Sequence, residues 1–216
     1  MREQIVDYIK RNRVTTTEVA DCLGKSGAVD GVMPINRGHF RVGVIRWTYA
    51  SVESNWQVHK DLIDTQKDEI VFIDSFECNG RAIIGELVSK YILLYRQASA
   101  VVCNAPMRDA GAIIRENYPI WSKGLSPIGC FNTAPNRKID ENLVSQARER
   151  LDGAIAVCDD AGVVIIPKEC HTEEFLNKLI AIEEQEDIWF DRLDRKQENT
   201  FEIVCEKKYL KEMNNG

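Results

Sequence analysis

Long apolar runs are missing from this chain. No segment approaches the ~20 consecutive apolar residues that a membrane-spanning helix needs. Residues 1–4 also lack the basic and then apolar pattern of a secretory signal peptide. These absences predict a protein that neither spans a membrane nor is exported, and we expect it to be cytoplasmic.

Paired cysteine spacings are missing as well. The chain has seven cysteines, an odd number, and no two have the C-x-x-C spacing of zinc sites and redox motifs. A thiol inside an apolar run behaves as a small hydrophobic side chain. We therefore expect a reduced protein, as is usual in the cytoplasm. The cysteines are Cys22, Cys78, Cys103, Cys130, Cys158, Cys170 and Cys205.

Basic stripes and histidine pairs are also scarce. The formal net charge is −6, and Lys and Arg form no stripe of the kind that neutralises nucleic-acid phosphates. His39 and His59 stand alone, without the spacing of metal ligands, and are typical of ordinary surface or core positions. The composition therefore argues against a nucleic-acid partner.

What the chain does contain is α/β patterning. With 216 residues and 44% apolar content, it is large enough for one domain with a sizeable core, alone or with an arm. Short apolar runs of buried-strand type alternate with segments at helical spacing, which predicts parallel strands and covering helices. The predicted strands are residues 40–50, 69–74, 100–103 and 118–122, and the predicted helices are residues 4–13, 18–23, 55–64, 82–98 and 110–117.

The second half of the chain predicts antiparallel pairing. The turn residues 159–162 separate two apolar runs, residues 153–158 and 162–167, and this is a hairpin signal. The fold class that follows is α/β with a mixed parallel and antiparallel sheet.

Beyond residue 171 the composition becomes charged. Residues 172–199 have helical spacing, and their acidic residues are typical of a solvated face; an oligomer arm is the alternative. Residues 201–204 alternate and predict an edge strand. We expect residues 1–170 to form the α/β domain and residues 171–216 to form a C-terminal helix and tail that packs on it or on a neighbouring subunit.

An arginine and an aspartate stand side by side after a buried strand. In residues 101–109 an apolar run gives way to a turn and then to Arg108 and Asp109. A guanidinium group can grip a carboxylate through two hydrogen bonds, and a free carboxylate can hold a hard cation such as Mg²⁺. The pair predicts a site for a small anion beside a metal; a solvated surface pair is the alternative.

Six segments in order resemble the RraA-like family. This family includes metal-dependent class II aldolases acting on 4-hydroxy-4-methyl-2-oxoglutarate, oxaloacetate decarboxylases and a ribonuclease E inhibitor. Some relatives are labelled demethylmenaquinone methyltransferases, but this chain has no glycine-rich nucleotide loop to support that activity. The resemblance covers roughly residues 15–168, and the segments that carry it are residues 17–24, 70–74, 85–87, 104–109, 119–127 and 159–167.

The resemblance implies a fold, an assembly and a set of roles. The fold is a swivelling-type β/β/α domain, to which this chain adds its C-terminal helical arm, and the assembly is a homotrimer or homohexamer with sites between subunits. Arg108 would contact the substrate and Asp109 would ligate Mg²⁺ or Mn²⁺. Backbone N–H groups at Gly85, Glu86 and Leu87 would receive a pyruvate-like carboxylate, since a helix start favours an anion. Glu86, acting through water, would carry the proton.

The implied function is that of a divalent-metal-dependent lyase, an aldolase or decarboxylase that cleaves a small 2-oxo acid through a pyruvate enolate. The alternative is a non-catalytic oligomeric regulatory protein of the ribonuclease-inhibitor branch. That branch tends to lack the metal-binding aspartate, so Asp109 favours the enzyme.

Three departures from the family pattern bear on this expectation. Residues 75–80 are not a glycine run, and residues 104–106 read Asn-Ala-Pro where the family has Asp-Gly-Ala. The gap from Glu86 to Arg108 is one residue longer than in the aldolases, and an insertion in mid-helix would rotate Glu86 away from Asp109. In the tail, Glu202 or Glu206 is a candidate to reach a neighbouring subunit's site.

Overall fold

A seven-stranded sheet organises the protein. The computed structural model describes residues 1–210. The strands are β1 (Met33–Pro34), β2 (Arg41–Ser51), β3 (Ile70–Phe76), β4 (Ala100–Cys103), β5 (Ile120–Ser122), β6 (Ile155–Asp159) and β7 (Gly162–Ile166). Their order is β1-β5-β4-β3-β2-β6-β7; β2 to β5 run parallel, and β1, β6 and β7 pair antiparallel with their neighbours. The predicted mixed sheet is confirmed.

Helices cover both faces of the sheet. They are α1 (Arg2–Asn12), α2 (Thr16–Cys22), α3 (Trp56–Asp61), α4 (Glu86–Lys90), α5 (Ala110–Arg115), α6 (Glu141–Leu151) and α7 (Glu173–Lys196), with short 3₁₀ turns at Leu62–Asp64 and Lys168–Cys170. Because side chains alternate along a strand, Ile73 and Cys103 point into the apolar cluster beneath α3 and α5, and Phe72 and Val102 point into the cluster beneath α6. Burial on both faces explains why β3 and β4 are continuous apolar runs.

The antiparallel strands β6 and β7 pack against the N-terminal helices α1 and α2 and against helix α7. The hairpin forms as predicted, with Asp159 opposite Gly162. The carboxylate of Asp159 accepts hydrogen bonds from the backbone N–H and the hydroxyl of Thr16 at 2.8 and 2.7 Å, so the hairpin holds the start of α2. Phe175 and Leu179 of α7 are buried in the apolar cluster that β6 and β7 form with α1 and α2.

Two predicted elements are wrong and one helix was missed. The helix expected over residues 82–98 begins only at Glu86, because residues 82–84 are extended and bonded to neighbouring loops; it then passes into a π-helical turn, Tyr91–Tyr95. The expected edge strand at residues 201–204 is a second π-helical turn, Phe201–Cys205. Helix α6 escaped prediction because charged and polar residues interrupt its apolar spacing. Within residues 1–210, no helix combines the length and apolarity that crossing a membrane requires.

Candidate functional site

Two irregular segments lie side by side at the candidate site. The N–H of Ile83 donates to the carbonyl of Pro106 at 3.0 Å, and the N–H of Arg108 donates to the carbonyl of Ile84 at 3.1 Å. This short ladder brings the start of α4 against the end of the segment that follows β4. The proline that replaces a family residue therefore contributes its carbonyl, and its missing N–H is not needed there.

Asp109 is positioned by its own backbone. It has a left-handed conformation, with φ of 61°, immediately before α5. Aspartate is among the few side chains that adopt this conformation readily. Its Oδ2 accepts a hydrogen bond from the backbone N–H of Glu86 at 3.0 Å. Among the described residues no donor bonds to Oδ1, so this oxygen is available to a ligand.

Gly85 makes room for that carboxylate. A Cβ atom at Gly85 would lie 2.1 Å from Oδ2 of Asp109 and 2.8 Å from Cγ of Arg108. Both distances are far inside van der Waals contact, and the carboxylate would have to move. Glycine is therefore required here for close approach, which explains why this residue type precedes the acid in the Gly-Glu-Leu segment.

Arg108 extends across the mouth of the site. Its Nε lies 3.8 Å from Oδ2 of Asp109, and about half of its side chain is exposed. A Cβ at Gly129 would lie 2.6 Å from Nη1, so the guanidinium group rests against the backbone of the 124–130 loop. At this distance and exposure the ion pair is weak, and the guanidinium group can exchange it for an anionic ligand.

Glu86 remains at the site despite the longer gap to Arg108. Its backbone is bonded to Asp109, as described, and its Oε1 lies 3.9 Å from a guanidinium nitrogen of Arg115 on α5. The π-helical turn Tyr91–Tyr95 follows Glu86 by one α-helical turn. A π turn holds one residue more than an α turn, so a one-residue insertion in this segment would be accommodated beyond the site. The Glu86 backbone stays bonded to Asp109, but its side chain lies near Arg115 and is not part of the pocket lining, so the expected rotation remains a prediction for the side chain.

Asn55, which the sequence analysis did not single out, lines the same pocket. The pocket measures about 80 Å³ and is bounded by Gly85, Leu87, Arg108 and Asp109. Asn55 is 6% exposed; its Nδ2 donates to the carbonyl of Ile83 at 2.9 Å, whereas its Oδ1 is buried without a partner. A buried unpartnered acceptor calls for a donor or a cation. Asn55 stands at the start of a predicted helix, where a capping Asn is common, so no sequence signal distinguished it as a pocket residue.

The oxygen atoms in this pocket fit a largely hydrated hard cation. Within the described part of the chain no group of three His, Cys, Asp or Glu side chains is arranged to hold a metal. Asp109 supplies one carboxylate, and Asn55 supplies a second hard oxygen in the same pocket. Mg²⁺ keeps several of its waters and is commonly held by one or two carboxylates. A metal in this pocket would therefore depend on Asp109.

The pocket lining does not include Asp21, His39, Cys103, Glu202 or Glu206. Asp21 pairs with Lys25, and Nε2 of His39 lies 3.1 Å from Oδ1 of Asn117. Cys103 is fully buried, and burial raises the pKa of its thiol to about 12. Glu202 and Glu206 pair with Lys208. His59 is exposed, in agreement with its interpretation as an ordinary surface residue, and it also lines the candidate pocket.

Comparison with known proteins identifies the family to which the chain belongs. The family described as RraA-like (Aldolase/RraA) matches residues 16–165. An uncharacterized protein from Pseudomonas syringae pv. tomato is similar in structure, with a TM-score of 0.69, 18% identity and coverage of 93% of this chain and 96% of that one. Streptomyces coelicolor RraAS2, described as an unusual member of the RNase ES inhibitor RraA family, has a TM-score of 0.64, 17% identity and coverage of 88% and 96%.

The RNA-processing inhibitor RraA from Thermus thermophilis covers less of this chain. Its TM-score is 0.53 at 19% identity, over 70% of this chain and 92% of that one. At these identities the structural likeness concerns the fold alone. The family match, however, spans most of the chain and includes the segments that build the pocket. This chain belongs to the RraA-like family.

Proposed function

We propose that the protein is a divalent-metal-dependent lyase that cleaves a small 2-oxo acid. The observation that carries the proposal is the arrangement of Asp109. One carboxylate oxygen is fixed by the backbone of Glu86, the other has no donor among the described residues, and the guanidinium group of Arg108 lies beside them. If Arg108 and Asp109 were only a solvated surface pair, the Asp109 carboxylate would not have to lie as close to Gly85 as it does.

The residues divide the chemistry among them. Cleavage of a carbon–carbon bond beside a 2-oxo acid leaves an enolate, which is a developing oxyanion. Arg108 binds the substrate carboxylate and places a fixed positive charge beside this oxyanion. Bound Mg²⁺ or Mn²⁺ would supply Lewis-acid stabilisation of the same charge. Glu86, whose partly exposed side chain lies next to the pocket but is not in its lining, is the proposed group that holds a water and transfers the proton. At the start of α4 the N–H of Glu86 is already bonded to Asp109, so among the described residues the N–H of Leu87 is the one left for an anionic group.

An exposed apolar stripe supports assembly into a homotrimer or homohexamer. Leu87 is 80% exposed at the rim of the pocket, and Tyr91, Leu94 and Tyr95 continue the stripe along the same helical segment. Large apolar side chains grouped in this way are typical of interaction surfaces. A neighbouring subunit packed on the stripe would close the pocket, and Glu202 or Glu206 are the candidate acids that such a neighbour could bring.

The second candidate is a non-catalytic oligomeric regulator. It is favoured by one observation, that one of the similar structures is described as an RNA-processing inhibitor and another as an unusual member of an RNase inhibitor family. The acidic outer face of α7 would then be the surface that contacts a partner protein. Under this hypothesis Asp109 has no metal to bind.

The test measures pyruvate release from oxaloacetate and from 4-hydroxy-4-methyl-2-oxoglutarate. The protein is stripped of metal and assayed with Mg²⁺, with Mn²⁺ and with EDTA. We expect turnover with either metal and none with EDTA. Arg108→Ala should abolish turnover with metal binding retained, and Asp109→Ala should abolish both.

Matched controls come from helices far from the pocket in sequence. Arg11→Ala and Asp194→Ala remove the same kinds of charge at exposed positions, and both should leave turnover unchanged. No turnover and no Mg²⁺ binding by calorimetry, together with recovery of a stoichiometric protein partner, would favour the regulator. Mg²⁺ binding without turnover would retain the site and assign it another substrate.

A further inference from the structure

A second cavity lies at the ends of three parallel strands, on the other face of the sheet. It measures about 400 Å³. Ile73, Cys103 and Ser122 are partners across β3, β4 and β5, and the residue after each of them lines the cavity. These residues are Asp74, Asn104 and Lys123. Ligands of α/β proteins bind preferentially at the carboxyl ends of parallel strands.

The cavity is separate from the candidate lyase site. Its wall residue Phe72 belongs to the apolar cluster beneath α6. Ile83 and Ile84, which line the lyase pocket, belong to the cluster on the opposite face. The two cavities share no lining residue. A ligand in the second cavity would therefore bind at a separate site and would not occupy the pocket of the proposed lyase substrate.

Asp74 and Asn104 line the cavity, and Asn104 carries one acceptor without a partner. Asp74 is 6% exposed and accepts hydrogen bonds from Nε1 of Trp47 and Nδ2 of Asn104, both at 2.8 Å. The bond to the carboxylate fixes the orientation of the Asn104 amide, because only its NH₂ group can donate. Oδ1 of Asn104 is then buried without a partner. Such an atom calls for a donor, and a neutral hydroxyl costs less to bury than an ammonium group.

Two exposed cations line the same cavity. Among the described residues, neither Lys123 nor Arg150 makes a side-chain hydrogen bond or an ion pair, and both are available to a carboxylate. Asp30 is an exposed acid that also lines the cavity, and it disfavours a ligand with several negative charges. The walls of the cavity include Val29, Phe72 and Leu151, which are apolar.

We infer that this cavity binds a small hydroxylated monocarboxylic acid with an apolar body, such as a monocyclic hydroxy acid. The carboxylate lies at Lys123 and Arg150, the ring or chain lies against Phe72 and Leu151, and the hydroxyl donates to Oδ1 of Asn104. The inference does not depend on the proposed lyase activity.

Isothermal titration with three matched compounds tests the inference. 4-Hydroxybenzoate carries both groups, benzoate lacks the hydroxyl, and 4-hydroxybenzyl alcohol lacks the carboxylate. We expect 4-hydroxybenzoate to bind once per chain and each of the other two to bind about tenfold more weakly, the usual size of one lost polar contact. Absence of 4-hydroxybenzoate binding at millimolar concentration, or equal binding of all three, would overturn the inference.

Variants assign the contacts. Lys123→Gln and Arg150→Gln should each weaken both acids about fivefold and leave the alcohol unchanged. Asn104→Leu should remove the preference for 4-hydroxybenzoate over benzoate. If that variant does not fold, the results for Lys123→Gln and Arg150→Gln test whether the acid binds in this cavity. Lys196→Gln, at an exposed position on α7 that lines neither cavity, is the control. Unchanged binding in both surface variants, or loss of binding in Asp109→Asn, would show that the acid does not bind in this cavity.

Discussion

Two aspartates close to the ends of adjacent strands have opposite surroundings. Asp74, in β3, is 6% exposed, and its two carboxylate oxygens accept hydrogen bonds from the buried Trp47 and the half-buried Asn104. Asp109, six residues after β4, has nearly half of its side chain exposed, and only Oδ2 is held, by a backbone N–H. One carboxylate is enclosed in the core, whereas the other is fixed at one oxygen and open at the other.

The difference shows how one residue type serves folding in one place and chemistry in another. A buried carboxylate whose two oxygens each accept a hydrogen bond from the protein has little left for a ligand, and removing it leaves those donors unpaired. An exposed carboxylate held at one oxygen costs little to remove and retains an oxygen for a cation. We therefore expect changes near Asp109 to reduce activity and changes at Asp74 to reduce stability.

The largest expected effect is that of Asp109→Asn on turnover. The amide oxygen can still accept from Glu86, so the fold is retained, but the negative charge needed for a metal is lost. We expect metal-dependent pyruvate release to fall by at least about 1,000-fold, because Lewis-acid stabilisation contributes several kcal/mol. The free energy of unfolding, measured in urea, should change by less than about 0.5 kcal/mol. A large fall in the free energy of unfolding would show that Asp109, like Asp74, is needed for stability, and would contradict the proposed difference between the two aspartates.

The next largest effect is expected for Gly85→Ala. The added Cβ would displace the Asp109 carboxylate, and a shift of about 1 Å at a reacting group costs roughly 100-fold in rate. Steady-state kinetics in saturating Mg²⁺ measures this loss. Gly111→Ala is the matched control, since a Cβ there meets nothing within 4 Å and lies inside α5. It should retain full activity and be equally or more stable, since alanine favours a helix; equal loss of activity in both variants would contradict the displacement.

Asp74→Ala tests whether the buried aspartate is needed for stability. It leaves Nε1 of Trp47 and Nδ2 of Asn104 without their acceptor in the core. We expect the free energy of unfolding in urea to fall by about 2 kcal/mol. Asp109→Ala, measured in the same way, should cost less than about 1 kcal/mol. Similar values for the two variants would show that burial does not distinguish these carboxylates.

The smallest effect is expected for Arg115→Gln. Its guanidinium group lies 3.9 Å from Glu86, and both side chains are substantially exposed. Exposed pairs of this kind contribute at most about 1 kcal/mol, so turnover should change by less than about fivefold and stability by a few tenths of a kcal/mol. A greater loss of turnover would mean that Arg115 positions Glu86. Helix α5 would then contribute to the candidate site together with Asp109.

The strands could be predicted from the sequence because burial on both faces marks them directly. Ile70–Phe76 and Ala100–Cys103 appear as apolar runs, and the Asp-Asp-Ala-Gly turn marks the hairpin. Residues 82–84 have helical spacing, but their backbone groups bond to Pro106 and Ile128, partners that no local pattern reveals. For the same reason the residues that flank Arg108 and Asp109 in the chain were enough to predict a site there. Asn55 is distant from them in sequence, and only the folded structure brings it into the pocket.

The π-helical turn Tyr91–Tyr95 makes the chain tolerant of changes in length. Glu86 is anchored by Asp109 at one end of the segment, and Arg96 is anchored at the other, where its guanidinium group donates to the carbonyl of Thr65 at 2.7 and 3.0 Å. Between these fixed points one residue can be gained or lost by exchanging a π turn for an α turn. Insertions and deletions of single residues can therefore accumulate here without moving the acid or changing the strand register that follows.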